Sequence, residues 1–268
     1  MEGFWTRVFL RIWAVLILLF LFVPILLIFF YAFNTSNIET WPIPGLTTKW
    51  FVSTWNDENV RTALVVSLQA GLAATVIALV LGSCAAFAIH RARFFGREVV
   101  SLLFVLPLAL PGIITGIALN AFFSFNSISL SLATIVVGHT TFCIVVVYNN
   151  VLARLRRTQG SLVEAAMDLG ANGFQTFRDI TLPLISTAVV AGCMLAFALS
   201  FDEVIVTTFT AGAQSTLPIW IFGQIRHGVL LPEVNVVVSF VILVTIIPVV
   251  VAARLTGGSG AAKVQSAR

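Results

Sequence analysis

The sequence predicts an all-α integral membrane protein with six transmembrane helices, and three observations lead there. Of the 268 residues, 59% are hydrophobic and 10% charged, with a mean hydropathy of +1.04, whereas a water-soluble domain carries roughly 25% charged residues to cover its surface. The apolar residues gather into stretches of about 20, long enough to cross a hydrocarbon core as helices that satisfy their own backbone groups without water. The connectors between these stretches hold the Lys and Arg, and hold them asymmetrically. The same figures exclude a soluble globular domain and a disordered chain. A disulfide-stapled secreted scaffold is excluded too: Cys84, Cys143 and Cys193 all lie inside apolar runs, where they read as small core residues.

The first span, Leu10–Phe33, follows Arg7 and Arg11. Its apolar run is longer than a signal-peptide core and has no small-x-small cleavage site before Asn34, so a retained anchor is expected. Trp41, Trp50 and Trp55 follow in a connector, where amphipathic rings suit the membrane interface. The second span is Thr62–Ile89 and the third Val99–Phe122. Pro107 and Pro111 should kink the third, since each removes a backbone donor and Pro111 crowds the carbonyl of Pro107. Gly112 and Gly116 stand at the spacing that lets a neighbouring helix come close, and the segment reads as a hinge or as simple packing. The fourth span, Leu130–Ala153, carries His139 near its middle beside Thr140 and Thr141. Such a histidine either packs as a neutral, hydrogen-bonded group or gates a path. Asn149 and Asn150, near the inner end, read as caps or bridges. Leu184–Val206 and Val234–Arg254 complete the six, and the Gly/Ser-rich tail 255–268 reads as mobile. No internal repeat or second domain interrupts this single transmembrane domain.

Orientation follows from the basic residues. With the N-terminus inside, the inner face holds Arg7, Arg11, Arg91, Arg93, Arg97, Arg154, Arg156, Arg157, Arg178, Arg254, Lys263 and Arg268. Only Lys49, Arg61 and Arg226 remain outside. This bias places both termini in the cytoplasm. It also explains the net charge of +4 as a topological signal, so no nucleic-acid partner is expected.

Two connectors exceed the short loops of a helical bundle: the inner one, 154–183, and the outer one, 212–232. In the inner loop, Ser161 and Glu164 have the spacing of a capping box. Leu162, Ala165, Ala166 and Leu169 then line one apolar face, and Gly170 stands where a left-handed residue would end the helix. Asn172 and Gln175 repeat the capping pattern for a second short helix, and Pro183 opens the fifth span. Such a helix–turn–helix pair is amphipathic yet too short to cross the membrane. It could pack on its own bundle or lie at the headgroups. Its small residues, Ala165, Ala166, Gly170, Ala171 and Gly173, favour close approach by another protein. The outer loop segment 217–228, with Pro218 and Trp220, reads as an amphipathic surface helix.

The run Glu164-Ala165-Ala166, then Gly170, then Ile180-x-Leu182-Pro183 resembles the EAA signature of permease subunits from bacterial ATP-binding cassette importers. It fixes seven positions across twenty residues, between the fourth and fifth of six spans. The resemblance extends to Tyr31-Ala32-Phe33-Asn34, Leu106-Pro107-Leu108-Ala109-Leu110-Pro111-Gly112, Gly138-His139-Thr140-Thr141-Phe142-Cys143, Ser200-Phe201-Asp202-Glu203 and Thr216-Leu217-Pro218, which look like the spermidine/putrescine-type subgroup. It covers nearly the whole chain except the tail. It implies a type I importer permease fold in which the inner loop forms coupling helices seated on an ATPase subunit, with Glu164, Ala165, Ala166 and Gly170 as contact and turn residues. It implies a second homologous permease subunit, two cytoplasmic ATP-binding subunits and an extracytoplasmic solute-binding protein as partners, in the lipid of a bacterial inner membrane. Spermidine, putrescine or a related small cation would be the solute. The same architecture carrying another solute (an opine, aminophosphonate, amino-acid-like compound or metal chelate) stays open, as does a stand-alone transporter or channel.

Charged groups inside a bilayer are costly, so each points to function. Asp202 and Glu203 are adjacent acids at the end of the fifth span. They would line the path and attract a protonated polyamine, or Ser200 and Glu203 would form a capping box where the span breaks into a short half-helix running toward Gly212. His139 is the other candidate path residue. No phosphate-binding Gly-x-x-x-x-Gly-Lys-Ser/Thr loop, no Gly-x-Ser-x-Gly elbow and no His-Glu-x-x-His is present. The chain is therefore expected to be no enzyme and to hold no cofactor or metal, with ATP and Mg bound by the partner ATPase subunits.

Overall fold

The computed structural model describes residues 3–91, 95–228 and 230–261, with side chains as far as Ile246. Of the basic residues expected on the inner face, Arg93, Lys263 and Arg268 lie outside these, as does the end of the tail, 262–268. The described residues contain helices and a single isolated bridge, Asn34 with Leu46, but no strand. In order the helices are α1 (Phe4–Tyr31), α2 (Lys49–Asn56), α3 (Glu58–Arg91), α4 (Arg97–Ala109), α5 (Gly112–Phe125), α6 (Leu132–Arg157), α7 (Gly160–Asp168), α8 (Gly173–Thr176), a π-helical turn (Phe177–Thr181), α9 (Leu182–Asp202), α10 (Ile205–Thr210), α11 (Leu217–His227) and α12 (Leu231–Ala261). Among the described residues four stretches are long and apolar enough to cross a membrane: Phe4–Tyr31, Glu58–Arg91, Leu132–Arg157 and Gly173–Asp202. A fifth arises if α4 and α5 together count as one. In α12 the apolar stretch within the described side chains is Leu231–Ile246.

The third expected span departs most from its sequence reading. It does not kink; it breaks, and α4 and α5 meet at 99°. Pro107 is tolerated inside α4, but Leu110, next to Pro111, is extended (φ −76, ψ 141). The ring of a following proline clashes with a helical residue before it, and Pro111 itself offers no amide to continue the ladder.

Residues Arg61–Trp220 form one compact unit. Its axis is α6, which packs along α9 and touches α4, α5 and α10. The core joins Ala78, Ala86 and Ile89 of α3 to Phe142, Cys143, Val147, Tyr148, Val151, Leu152 and Leu155 of α6, with Ile185, Ala196 and Val206 beyond. The wall of α3 is a stripe of small residues, Ala63, Ser67, Ala70, Ala74, Ala78, Gly82 and Ala86, all buried. A helical period that repeats small side chains lets two backbones meet without relying on apolar bulk, which lipid already supplies. Closest is Gly82, where a Cβ would lie 2.9 Å from the Ile144 carbonyl oxygen and 3.1 Å from the Tyr148 amide. Backbone atoms cannot swing aside as a side chain can. Gly82→Ala is therefore expected to destabilise the solubilised protein by about 1–3 kcal/mol, as overpacking does. It should lower the thermal midpoint, while Gly223→Ala, with nothing within 4 Å, leaves it unchanged.

The second unit, Met1–Val60 with Ile221–Arg268, brings α1 and α2 against α12. No residue of α1 is buried, as expected of a helix facing lipid. Trp50 corrects the expectation of an interfacial belt. It is buried with Ala32 and Val236, and its indole Nε1–H donates to the Asn34 carbonyl oxygen at 2.6 Å. A buried indole needs such a partner. Trp41 and Trp55 stay exposed. Ser53 donates its hydroxyl to the buried Glu233 carboxylate, and Asn235 donates to Glu39 Oε1 at 2.7 Å. Cys143 is a buried core residue as expected, but Cys84 is exposed and Cys193 half-buried.

Candidate functional site

Two regions hold the residues that the sequence singles out. The first is the break after α9. This helix ends at Asp202, Glu203 is extended (ψ 118), and α10 begins at Ile205. A half-helix does follow the break, but its cap is not the expected Ser200–Glu203 box. Glu203 Oε1 accepts the Val206 amide at 2.9 Å and so caps α10 alone. Ser200 is diverted to a different partner: its hydroxyl lies 2.7 Å from Nδ1 of His139. His139 Nε2 lies 2.7 Å from Thr207 Oγ1, and that hydroxyl donates to the Glu203 carbonyl oxygen at 2.6 Å. The directions are then fixed. Thr207 spends its proton on Glu203, so its oxygen accepts from Nε2–H, and Nδ1 accepts from Ser200. His139, Ser200 and Thr207 are all buried, and all three are satisfied, as buried polar groups must be.

The far end of α10 is tied as well. Asn120 Nδ2 of α5 donates to the Phe209 carbonyl oxygen at 2.7 Å, and Thr134 Oγ1 of α6 stands 2.7 Å from the Thr210 carbonyl oxygen. A helix of six residues has too few internal bonds to stand alone, and these side chains supply what it lacks. Packing completes the seat: a Cβ at Gly116 would lie 2.6 Å from the Phe209 ring, and one at Gly138 3.1 Å from Val206. The small-residue spacing of Gly112 and Gly116 thus accommodates α10. Glu203 is half-buried and Asp202 exposed, and among the described residues Asp202 has no hydrogen-bond or ion-pair partner.

Sequence reasoning missed Thr207, Asn120 and Thr134, and assigned Ser200 to the wrong partner. The available signal was a density of hydroxyls, from Ser200 through Thr207 and Thr208 to Thr210, too high for a lipid-facing segment. Asn149 and Asn150 bridge no helices: Asn149 is exposed, and Asn150 bonds back to Val146 of its own helix at 2.9 Å. Among the described residues no three His, Cys, Asp or Glu side chains gather to hold a metal ion.

The second region is the connector between α6 and α9. Its first helix, α7, starts two residues earlier than the Ser161 box would place it. Gln159 is the N-cap without a side-chain bond, because Gly160 takes the first helical position and leaves Ser161 inside the turn. Gly170 is left-handed (φ 89) and ends the helix as expected. The second box forms: Asn172 Oδ1 accepts the Gln175 amide and Gln175 Oε1 accepts the Asn172 amide, both at 2.9 Å. Glu164 and Ala165 are exposed and Ala166 is half-buried. Leu162 is 46% exposed, Met167 54%, Leu169 90% and Phe174 71%, so this pair of helices does not bury its apolar face on its own unit.

Pro183 does not open a separate span. The chain runs as one helix from Gly173 to Asp202, with the π turn absorbing the proline. There Leu182 N–H bonds to the Phe177 carbonyl oxygen, five residues back. Pro183 removes one amide, and the wider turn leaves room for its ring. Phe177 packs edge-on against Phe87 of α3 at 5.6 Å, and Arg154 Nε donates to the Leu184 carbonyl oxygen at 2.8 Å. The helix expected over 217–228 also forms, as α11, with Phe222 and Ile225 exposed and Trp220 buried.

Comparison with known proteins identifies this architecture. Residues 78–257 match the family described as binding-protein-dependent transport system inner membrane component. The chain is 35% identical over 243 residues to the putrescine transport system permease protein PotI of Escherichia coli K12, covering 86% of this chain and 85% of that protein. It is 35% identical over 234 residues to the spermidine/putrescine transport system permease protein PotC of the same strain, covering 86% and 87%. In fold it is similar to a chain from the crystal structure of a bacterial ABC transporter that imports the acidic polysaccharide alginate. There the TM-score is 0.69 at 17% identity, with 93% of this chain and 98% of that one covered. The matched stretch takes in both regions described above, and the chain therefore belongs to the inner-membrane permease components of binding-protein-dependent transport systems.

Proposed function

We propose that the chain is one permease subunit of an ATP-driven importer for spermidine, putrescine or a related small cation. The solute reading rests on the likeness to the polyamine permeases over most of the chain. In this reading α4 and α5 form one broken span and α12 the last, making six, with both termini cytoplasmic and the arginine-rich ends inside. A second, homologous permease would pair with it. Two ATPase subunits, which bind ATP and Mg, would each receive one inner loop, and an extracytoplasmic binding protein would deliver the solute. Asp202, Glu203 and His139 would flank its path.

The observation that carries this reading is the uncovered α7–α8 pair running into the fifth span. Glu164, Ala165, Ala166 and Gly170 stand on a surface whose large apolar side chains, Leu162, Met167, Leu169 and Phe174, all remain exposed. A displacement of α8 reaches α9 through continuous helix, with no loop in which to dissipate. ATP-driven closure of the ATPase subunits would in this way move the helix that ends at Asp202.

The test is the ATPase activity of the purified complex in lipid, with and without binding protein loaded with spermidine or putrescine. Loaded binding protein should stimulate the wild type, and Glu164→Ala should lose that stimulation. Glu164 is exposed, so its loss spares the fold. Activity indifferent to this substitution would overturn the coupling role, and absence of a co-purifying ATPase would overturn the importer.

A further inference from the structure

At the arginine-rich ends of α3, α4 and α6 lies a cavity of ≈ 470 Å³, lined by Ile89, Arg97, Glu98, Ser101 and Arg156. Among the described residues the one ion pair is Arg178 with Asp179, so neither arginine of the cavity has a carboxylate within 4.0 Å, Glu98 included. Two guanidiniums that share one concavity and pair with no carboxylate present the planar donor forks that match phosphate oxygens. Arg97 and Glu98 are also the first two residues of α4, which brings the positive end of its dipole to the same wall. Ser101 is held in place from behind. Ser101 Oγ lies 2.7 Å from the Tyr148 hydroxyl, and fully buried Tyr148 stacks on Phe104 at 5.1 Å.

What adjoins the cavity chooses among phosphate compounds. Leu102 and Leu106 follow Glu98 at four and eight residues along α4, on the same helical row, and both are exposed, as are Val99 and Leu103. Soluble phosphate gains nothing from such a row, whereas an acyl chain does. We propose that this cavity seats the headgroup of an anionic phospholipid. Its phosphate lies between Arg97 and Arg156, its glycerol hydroxyls reach Glu98 and Ser101, and its acyl chains lie along the exposed face of α4. A basic pocket between membrane helices is the general form of such a site. The inference needs only the membrane location of the chain and is independent of the solute carried.

Native mass spectrometry of the purified complex, supplied with phosphatidylglycerol or with phosphatidylcholine, tests it. The wild type should retain phosphatidylglycerol preferentially. Arg97→Gln with Arg156→Gln should weaken that retention roughly thirtyfold, given two lost arginine–headgroup contacts. Arg157→Gln, which removes one exposed arginine of α6 outside the cavity, should leave it intact, and millimolar inorganic phosphate should not compete. Equal retention by the double variant, or an equal loss in the Arg157 variant, overturns the site. Displacement by inorganic phosphate reassigns the cavity to a soluble anion. A double variant that keeps its lipid but loses the ATPase assigns the arginines to a protein partner; either result overturns the lipid.

Discussion

Replacing Asp202 by Asn and Glu203 by Gln together should lower uptake of a protonated polyamine at least tenfold, about 1.4 kcal/mol, while the complex still assembles. The pair of substitutions is chosen to separate charge from structure. Glu203 Oε1 caps α10 by accepting the Val206 amide, and the amide oxygen of Gln can accept the same bond. Asp202 is exposed and makes no bond that Asn would break. Two unit charges 4 Å apart attract by about 4 kcal/mol at the effective dielectric of a protein surface, so carboxylates that touch the solute have more than enough energy at stake. Glu203→Ala is a different experiment, because it also removes the cap, which costs about 1 kcal/mol, and its effect would mix transport with loss of α10. The measurement is uptake of labelled putrescine or spermidine into proteoliposomes, with the amount of co-purified ATPase as the assembly check. Undiminished uptake by the double variant would show that these acids serve α10 alone.

The long helices were legible because the bilayer simplifies the code: an apolar stretch of sufficient length must satisfy its own backbone and so forms a helix. The second half of the loop between α6 and α9 was legible because caps are local. Asn172 with Gln175, and Gly170 at positive φ, need only near neighbours in sequence. In two places a local rule met a distant competitor. Ser200 has the right spacing to cap with Glu203, yet His139, 61 residues away, takes its hydroxyl. Trp50 has the chemistry of an interfacial ring, yet the Asn34 carbonyl draws it inside. The prolines were seen, but not their consequence. A kink and a 99° break differ in whether the residue before Pro111 stays helical, and at Leu110 the extended state prevails. The small-residue stripe on α3 was readable as a period and went unread, because in a membrane the informative pattern lies among Ala, Gly and Ser, with every large residue apolar already.

His139→Leu should lower the thermal midpoint of the solubilised complex by several degrees and reduce uptake further than the lost stability explains. Leucine fills much of the ring's volume but neither donates nor accepts. Thr207 keeps its bond to the Glu203 carbonyl oxygen, whereas Ser200 loses the acceptor it uses and must turn back on its own helix. A buried hydroxyl left without a partner costs about 1–3 kcal/mol, and the ability to back-bond puts Ser200 toward the lower end. The larger consequence is positional. The chain Ser200–His139–Thr207–Glu203 is what fastens the N-terminal half of α10 to α6, so without it the residue carrying one of the two acids is free to shift. His139→Gln restores a donor toward Thr207 and should recover part of both the midpoint and the uptake. The two open readings of this histidine then separate. If it only packs and positions, the pH profile of uptake is the same in wild type and in the Gln variant. If its charge gates the path, the wild type shows a pH-dependent step that the Gln variant lacks. The fully satisfied, internally directed hydrogen-bond chain favours the first.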